Sequence, residues 1–281
     1  MKRIHLNDIR NESYLKDIQE SNDFVLLPFF KDGKPLFDGT VWGMTLKSAG
    51  SMRFRWNETN ENREKMLSCV AGKKREISQV QLDHTKIVTL AETKESTTGL
   101  IADGIVTVNE KLMPVVTIAD CTALYLYEPV TGAFGIVHSG WKGTGIVTNA
   151  INMMKEKFGV NEENILCSIS ACIHNCCYIV TEDRADYFVQ NFSKSCVMPL
   201  EEKTEAEMKK IKSWAGLEGK LYRLSLVDAN LALLKKAGIK DENIALLDEC
   251  TCCNENFGSN RRETQEGSAF TVQAAFVRRE L

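Results

Sequence analysis

The sequence predicts an α/β (α+β) fold: one domain over residues 1–281 built on a mixed sheet. Three observations carry that expectation. Between Leu112 and Ile169 the chain reads as successive apolar strands, one amphipathic helix and a returning strand. Lys31-Asp-Gly-Lys34 is a turn signal between two β-prone runs. No shift in composition marks a boundary, and no fixed period marks a repeat.

Taken in order, Phe24 to Phe30 and Leu36 to Leu46 predict the two arms of a hairpin. Asn60 to Val70 has helical spacing and ends at Gly72. Ile77 to Val80 and Ile87 to Leu90 are short strands around Gln81-Leu-Asp-His84, and polar Thr93 to Leu100 is a loop. Leu112 to Ala119, Ala123 to Tyr127 and Phe134 to His138 are buried strands. Thr144 is placed to cap a helix whose apolar face carries Ile146, Ala150, Met154 and Phe158, and Gly159 stops it. Ile165 to Ile169 returns as a strand, and Thr181 to Phe192 is a second helix. Thr204 to Ser213 is rich in lysine and glutamate and reads as an exposed helix or insertion. Lys220 to Leu224 is a strand, and Ser225-Leu-Val-Asp228 resembles a capping box for a helix ending at Gly238. Ile244 to Leu247 and Ala269 to Val277 are the last strands.

Composition narrows the function classes. The chain has 281 residues, is 43% hydrophobic and 26% charged, and carries a formal net charge of -3. Nothing in it resembles the clustered basic footprint of a nucleic-acid-binding protein. The first ten residues lack the apolar core of a signal peptide, and no apolar run reaches the length of a membrane span. The expectation is a cytoplasmic protein, monomeric or a small homo-oligomer, with small-molecule partners.

Ten cysteines in such a chain are expected to be thiols or metal ligands rather than a disulfide framework. Two groups invite a zinc reading, Cys172, Cys176, Cys177 and Cys250, Cys252, Cys253. Neither has paired C-x-x-C knuckles, so reduced core thiols are the preferred reading.

The informative stretch is Thr117-Ile-Ala-Asp-Cys121 followed by His138-Ser-Gly-Trp-Lys-Gly-Thr144. It sets a thiol just past one strand and an imidazole at the end of the next. The bland reading of each alone is a buried thiol and a tight strand-to-helix turn. His84 follows Asp83, and an acid beside an imidazole is equally consistent with a surface pair. Together Cys121, His138 and His84 make a three-ligand set for Zn²⁺, which leaves a fourth position for water or substrate. Lys142, the free N–H groups of a helix starting near Thr144, and Arg261 or Arg262 are candidates to hold phosphate. His174 is read as a loop histidine facing solvent.

These motifs, with Asp103-Gly-Ile-Val-Thr-Val-Asn109, Cys176-Cys-Tyr178, Cys250-Thr and Ser259-Asn-Arg-Arg262, resemble the YfiH/YlmD family. It is also called the laccase-domain or multicopper polyphenol oxidase family, and the match runs from about Gln81 to the carboxyl end. The resemblance implies a four-layer α/β/β/α domain related to a toxin deamidase fold, with a metal-accessible Cys–His–His site. It implies cleavage of adenosine, inosine and methylthioadenosine with phosphate, and deamination of adenosine. The family pattern Gln-x-His-x-x-x-Val fits imperfectly: Asp83 keeps the spacing to Gln81, whereas His84 keeps the spacing to Val88. His84 is chosen because an aspartate supplies no imidazole. Lys142 replaces the family's usual arginine, which keeps the charge and loses the bidentate fork.

Three other functions compete with a purine nucleoside phosphorylase. Copper-dependent phenol oxidation needs more imidazoles than the four in the chain. A cysteine hydrolase or amidase, in the manner of cell-wall precursor editing, would use Cys121 as nucleophile and His138 as base. A non-catalytic assembly protein would hold only a structural metal.

Overall fold

The computed structural model describes residues 1–11, 22–200, 204–207, 217 and 219–280. In chain order its elements are β1 (Lys2–Ile4), α1 (Leu6–Asn11), β2 (Phe24–Lys31), β3 (Lys34–Thr45), α2 (Glu61–Ala71), β4 (Glu76–Gln79), β5 (Val88–Leu90) and β6 (Gly104–Thr107). Then come β7 (Leu112–Ile118), β8 (Thr122–Glu128), β9 (Ala133–Ser139), α3 (Ile146–Phe158), β10 (Leu166–Ile169), β11 (Ile179–Thr181), α4 (Glu182–Asn191) and β12 (Val197–Pro199). The chain closes with β13 (Leu221–Leu224), α5 (Leu226–Lys236), β14 (Ile244–Leu247), α6 (Asn260–Gln265) and β15 (Gln273–Arg279).

Two mixed sheets dominate. The larger runs β1-β14-β10-β8-β9-β6-β5, and the second runs β2-β3-β15-β7-β4. A small sheet, β11-β13-β12, stands apart from both. Period-two alternation explains how the sheets stack. On β8, Tyr125 and Tyr127 pack against Trp42, Val116 and Val277 of the second sheet, while Leu124 and Leu126 face Ile146, Ala150 and Met154 of α3. On β15, Ala275 and Val277 join the layer between the sheets, whereas Ala274 and Phe276 turn to Leu67 and Val70 of α2. The order of layers is therefore helices α3 and α5, the seven-stranded sheet, the five-stranded sheet, and α2, the α/β/β/α arrangement. Trp42 and Tyr125 meet at ring centroids 4.8 Å apart, and each satisfies its polar atom on a backbone carbonyl, Pro28 O and Gly43 O.

The hairpin turn is as read: Asp32 and Gly33 both have positive φ, the backbone a two-residue turn requires. Several boundaries differ. Gly104–Thr107 and Val197–Pro199 are strands that apolar patterning alone left unassigned. Thr181 is the last residue of β11 and flanks α4, which begins at Glu182. Thr144 does not cap α3. Gly145, in the left-handed region, holds that position, and the Thr144 hydroxyl donates to Gly140 O at 2.7 Å to close the preceding turn. The stretch from Thr204 to Ser213 lies largely outside the described residues. Among the described residues no helix is long and apolar enough to cross a membrane.

Candidate functional site

Strands β7, β8 and β9 are consecutive in sequence, and because Thr122 pairs with Ser139, the turn from β7 into β8 and the end of β9 lie on one rim. Cys121 sits in the β7–β8 turn, immediately after Asp120, whose φ is 76°. His138 lies near the end of β9, paired with Ala123 across β8. His84 comes from the irregular segment between β4 and β5 and also has positive φ, at 56°. The ligand atoms of His84, Cys121 and His138 all lie within 4.8 Å of one another. The three form a step from mouth to floor: His84 is exposed, Cys121 half-buried and His138 buried. Asp83 is exposed, and only its backbone N–H reaches inward, so the imidazole beside it completes the set.

Asp103 organises the floor. It is fully buried, and its Oδ1 is 2.8 Å from His138 Nδ1. The same carboxylate accepts the His84 N–H at 3.0 Å and the Thr85 N–H and hydroxyl at 2.7 and 2.6 Å. One buried anion thus fixes the ring of one histidine and the backbone of the other. Burial alone would raise its pKa, yet the hydrogen bonds from His138 and Thr85 outweigh that and hold it below the usual carboxylate range.

Asp120 is locked too, but by other partners. Thr251 Oγ1 donates to its Oδ1 and the Arg261 N–H to its Oδ2, each at 2.6 Å. Here burial dominates and raises the pKa.

Electrostatics set the protonation of the centre. Burial pushes the Cys121 thiol up, but the neighbouring imidazoles, His138 foremost, bring it down to about 7. Burial pushes His138 down, and the Cys121 thiolate together with Asp103 raises it to about 9. Between those values the pair is thiolate and imidazolium in the absence of a cation.

The donors suit a metal ion. A soft thiolate with two imidazoles matches Zn²⁺, and His138 has its second ring nitrogen held by a carboxylate, as metal-bound histidines do. The space is kept open by Gly140: a Cβ there would stand 2.8 Å from Cys121 Sγ and 3.3 Å from His84 Cδ2.

The centre opens into a cavity of about 450 Å³, within the range of small-molecule sites. Leu82, Ile173, Leu226 and Phe270 give it an apolar wall, with Trp141 and Tyr178 as aromatic surfaces. Four arginines line it: Arg53, paired with Glu58, and Arg55 are exposed, whereas Arg184 and Arg261 are half-buried. The Arg184 guanidinium lies 4.3 Å over the Trp141 ring and Nη1 contacts Tyr178 Oη at 3.3 Å. Arg261 stands 5.7 Å over the Tyr178 ring.

Not every residue singled out from the sequence reaches this cavity. Lys142 and Thr144 do not line it; Lys142 is exposed, 5.4 Å over Trp141, and Thr144 is fully buried. Arg262 points away: its guanidinium donates to the carbonyls of Thr251, Cys252, Asn254 and Phe257. Of the arginine pair only Arg261 faces inward. Arg184, on the exposed flank of a polar helix, carried no sequence signal at all. Nor did Asp103 as a partner of His138, because a contact spanning 35 positions has no local pattern. His174 is half-buried with Nε2 shielded from solvent and without a partner, rather than facing water.

Residues 55–275 match the family model described as multi-copper polyphenol oxidoreductase laccase. The purine nucleoside phosphorylase YlmD of Geobacillus stearothermophilus is 27% identical over 181 residues, covering 63% of this chain and 60% of that protein. The purine nucleoside phosphorylase LACC1 of Mus musculus is 26% identical over 247 residues, 85% of this chain and 51% of its own length. The chain thus spans between about half and three-fifths of these relatives. The crystal structure of YlmD from Geobacillus stearothermophilus has a TM-score of 0.73 at 24% identity, covering 94% of this chain and 98% of that one. That likeness shows the fold.

Proposed function

The chain belongs to the multi-copper polyphenol oxidoreductase laccase family, and from that premise we propose that it is a purine nucleoside phosphorylase. The observation that supports this best is a soft three-donor centre and two half-buried arginines, Arg184 and Arg261, on one cavity with apolar and aromatic walls. Phosphorolysis asks for three things: an anion held against the anomeric carbon, an acid on the departing purine, and little competing water.

Arg184 and Arg261 are suited to the anion, because planar guanidiniums meet phosphate bidentately and both are pinned on aromatic rings. They replace Lys142, Thr144 and Arg262 in that role. Trp141, Tyr178 and the apolar wall would shelter the sugar and base. His84, Cys121 and His138 would hold Zn²⁺, which supplies Lewis acidity toward the purine. Asp103 keeps His138 oriented with its Nδ1 engaged, so the other ring nitrogen faces the centre's chemistry. Adenosine, inosine and methylthioadenosine are the proposed substrates, and adenosine deamination at the same centre is a separate outcome to be measured.

The test is incubation with each nucleoside, with and without phosphate, reading free base, pentose 1-phosphate and ammonia. Phosphate-dependent release of base with an equal yield of sugar phosphate is expected. Base release indifferent to phosphate overturns phosphorolysis, and ammonia from adenosine marks deamination instead.

A second reading, a cysteine hydrolase, is favoured by one observation: Cys121 and His138 stand within 4.8 Å of each other, with the thiol's pKa lowered and the imidazole's raised, which makes a thiolate–imidazolium pair. A covalent adduct on Cys121 during turnover of an amide substrate would select it. Copper oxidation of phenols has less support, since a several-copper centre calls for more imidazoles than this chain's four.

A further inference from the structure

A second group of sulfurs lies outside the cavity wall. β10 and β14 are parallel neighbours, so the loops that leave them emerge on the same side. Backbone pairing continues past the strand ends as an isolated parallel β-bridge between residues Cys172 and Cys250, both free thiols, with the Thr251 N–H donating to Cys172 O at 3.0 Å. Each loop then turns sharply. Cys177 and Tyr178 N–H groups donate to His174 O, and Cys253 and Asn254 N–H groups donate to Cys250 O. The first turn presents the adjacent thiols of Cys176 and Cys177. The second folds Cys253 back beside Cys250, a C-x-x-C spacing hidden in the sequence by the extra cysteine at 252.

The four sulfurs of Cys176, Cys177, Cys250 and Cys253 all lie within 4.8 Å of one another. Three of the separations are 3.8, 3.6 and 3.3 Å. A tetrahedron with metal–sulfur bonds of about 2.3 Å has edges of about 3.8 Å. Four thiols serving only as apolar packing have no reason to converge on a point, and Cys176 and Cys253 are exposed, so packing does not account for them. The separations are also far above the roughly 2.05 Å of a disulfide. The His174 N–H donates to Cys250 Sγ at 3.4 Å, a bond that offsets negative charge on a thiolate.

We propose that Cys176, Cys177, Cys250 and Cys253 form a structural four-thiolate site for Zn²⁺, separate from the His84, Cys121 and His138 centre. Its place in the fold gives it a task. One tied loop carries Ile173 and Tyr178, which line the cavity, and the other carries Thr251, which donates to Asp120. A cation held across the two loops clips together the back of the wall beside Cys121. Four thiols bind one divalent ion and release their protons to solvent, with no change of oxidation state. In this proposal the four are metal ligands, where the sequence alone favoured reduced core thiols.

The experiment uses the full chain and does not depend on any nucleoside activity. Metal content of protein purified without chelator is measured, and Co²⁺-loaded protein is examined for sulfur-to-cobalt charge-transfer and tetrahedral d–d bands. The Cys121→Ala variant removes the only sulfur of the other centre. It is expected to keep one equivalent of Co²⁺ with an intense four-thiolate spectrum. Cys176→Ser and Cys253→Ser are expected to lose that equivalent and that spectrum, and Cys253→His to recover the metal with weaker charge-transfer intensity. Circular dichroism checks that each variant is folded; if Cys253→Ser unfolds, Cys253→His and the Cys121→Ala spectrum still decide. A Cys121→Ala protein with no thiolate-to-cobalt band, or a disulfide joining the 176–177 and 250–253 peptides in freshly isolated protein, overturns the proposal.

Discussion

Asp103 holds His138 through a 2.8 Å contact between carboxylate Oδ1 and imidazole Nδ1, at the floor of the cavity where neither residue meets solvent. The same carboxylate fixes the His84 backbone, so one residue orients two of the three donors. Asp103→Asn keeps the shape and removes the charge. Zinc affinity is expected to fall about 10- to 100-fold, the usual cost of losing a partner behind a metal-bound histidine. Chelator competition measures it, best above pH 9, where His138 is neutral and proton competition is small. An affinity unchanged within about threefold would mean that His138 is not held this way in solution.

The protonation of the centre gives a pH signature in metal-free protein. Cys121 has a lowered pKa of about 7, so its thiolate fraction rises as pH increases through 7. The iodoacetamide labelling rate of Cys121 is expected to have its midpoint there, well below the ordinary thiol range. His138, raised to about 9, is imidazolium below that value and gives up its proton above it. A bound cation needs thiolate and neutral imidazole, so zinc affinity should climb steadily from pH 7 to 9, with proton release that calorimetry in buffers of different ionisation heat detects. In His138→Ala the thiol loses its main stabilising partner while remaining desolvated, and the labelling midpoint moves upward. A midpoint unmoved by that substitution would refute the pairing.

Gly140 is expected to be intolerant for a reason of space rather than backbone conformation, since its φ is not positive. A methyl group there would stand 2.8 Å from Cys121 Sγ. Gly140→Ala must displace the sulfur or the turn, at about 1–3 kcal/mol of local strain. The expected result is zinc binding weakened about 10- to 100-fold, since about 1.4 kcal/mol is a factor of ten. Thermal unfolding followed in excess chelator separates the effect on the site from any effect on the fold.

What was legible in the sequence was whatever repeats locally. The continuous apolar runs at Leu112 to Ala119 and Ala123 to Tyr127, the Asp32-Gly33 turn and the apolar face of Ile146, Ala150 and Met154 were all visible over a few residues. Cys121 and His138 stood out because both fall at strand ends. Short strands such as Gly104–Thr107 were hidden, because four residues are too few to display a period. Contacts across the fold were hidden entirely. The sequence gives no hint that Arg262 would turn to backbone carbonyls while Arg261 faced the cavity, or that Arg184 would join it. The convergence of the two cysteine clusters was hidden because it depends on β10 and β14 being parallel neighbours.

The adjacent arginines provide the sharpest separation of roles. Arg261 lines the cavity over Tyr178, with Arg184 on the other aromatic wall, so Arg261→Ala and Arg184→Ala should each raise the KM for phosphate about tenfold or more with little loss of stability. Arg262 donates to four carbonyls of the turn that carries Thr251 and Cys252. Truncating it leaves those acceptors without their charged donor, so Arg262→Ala should destabilise the fold by about 2–4 kcal/mol and leave the phosphate KM of the folded fraction near normal. Lys142→Ala, exposed and off the cavity wall, should change neither quantity. Denaturant unfolding and phosphate-dependent kinetics on the four variants check the assignment. If Arg262→Ala or Lys142→Ala raised the phosphate KM while Arg261→Ala did not, the anion would sit elsewhere, and the arginine wall described here would have to be given up as its binding surface.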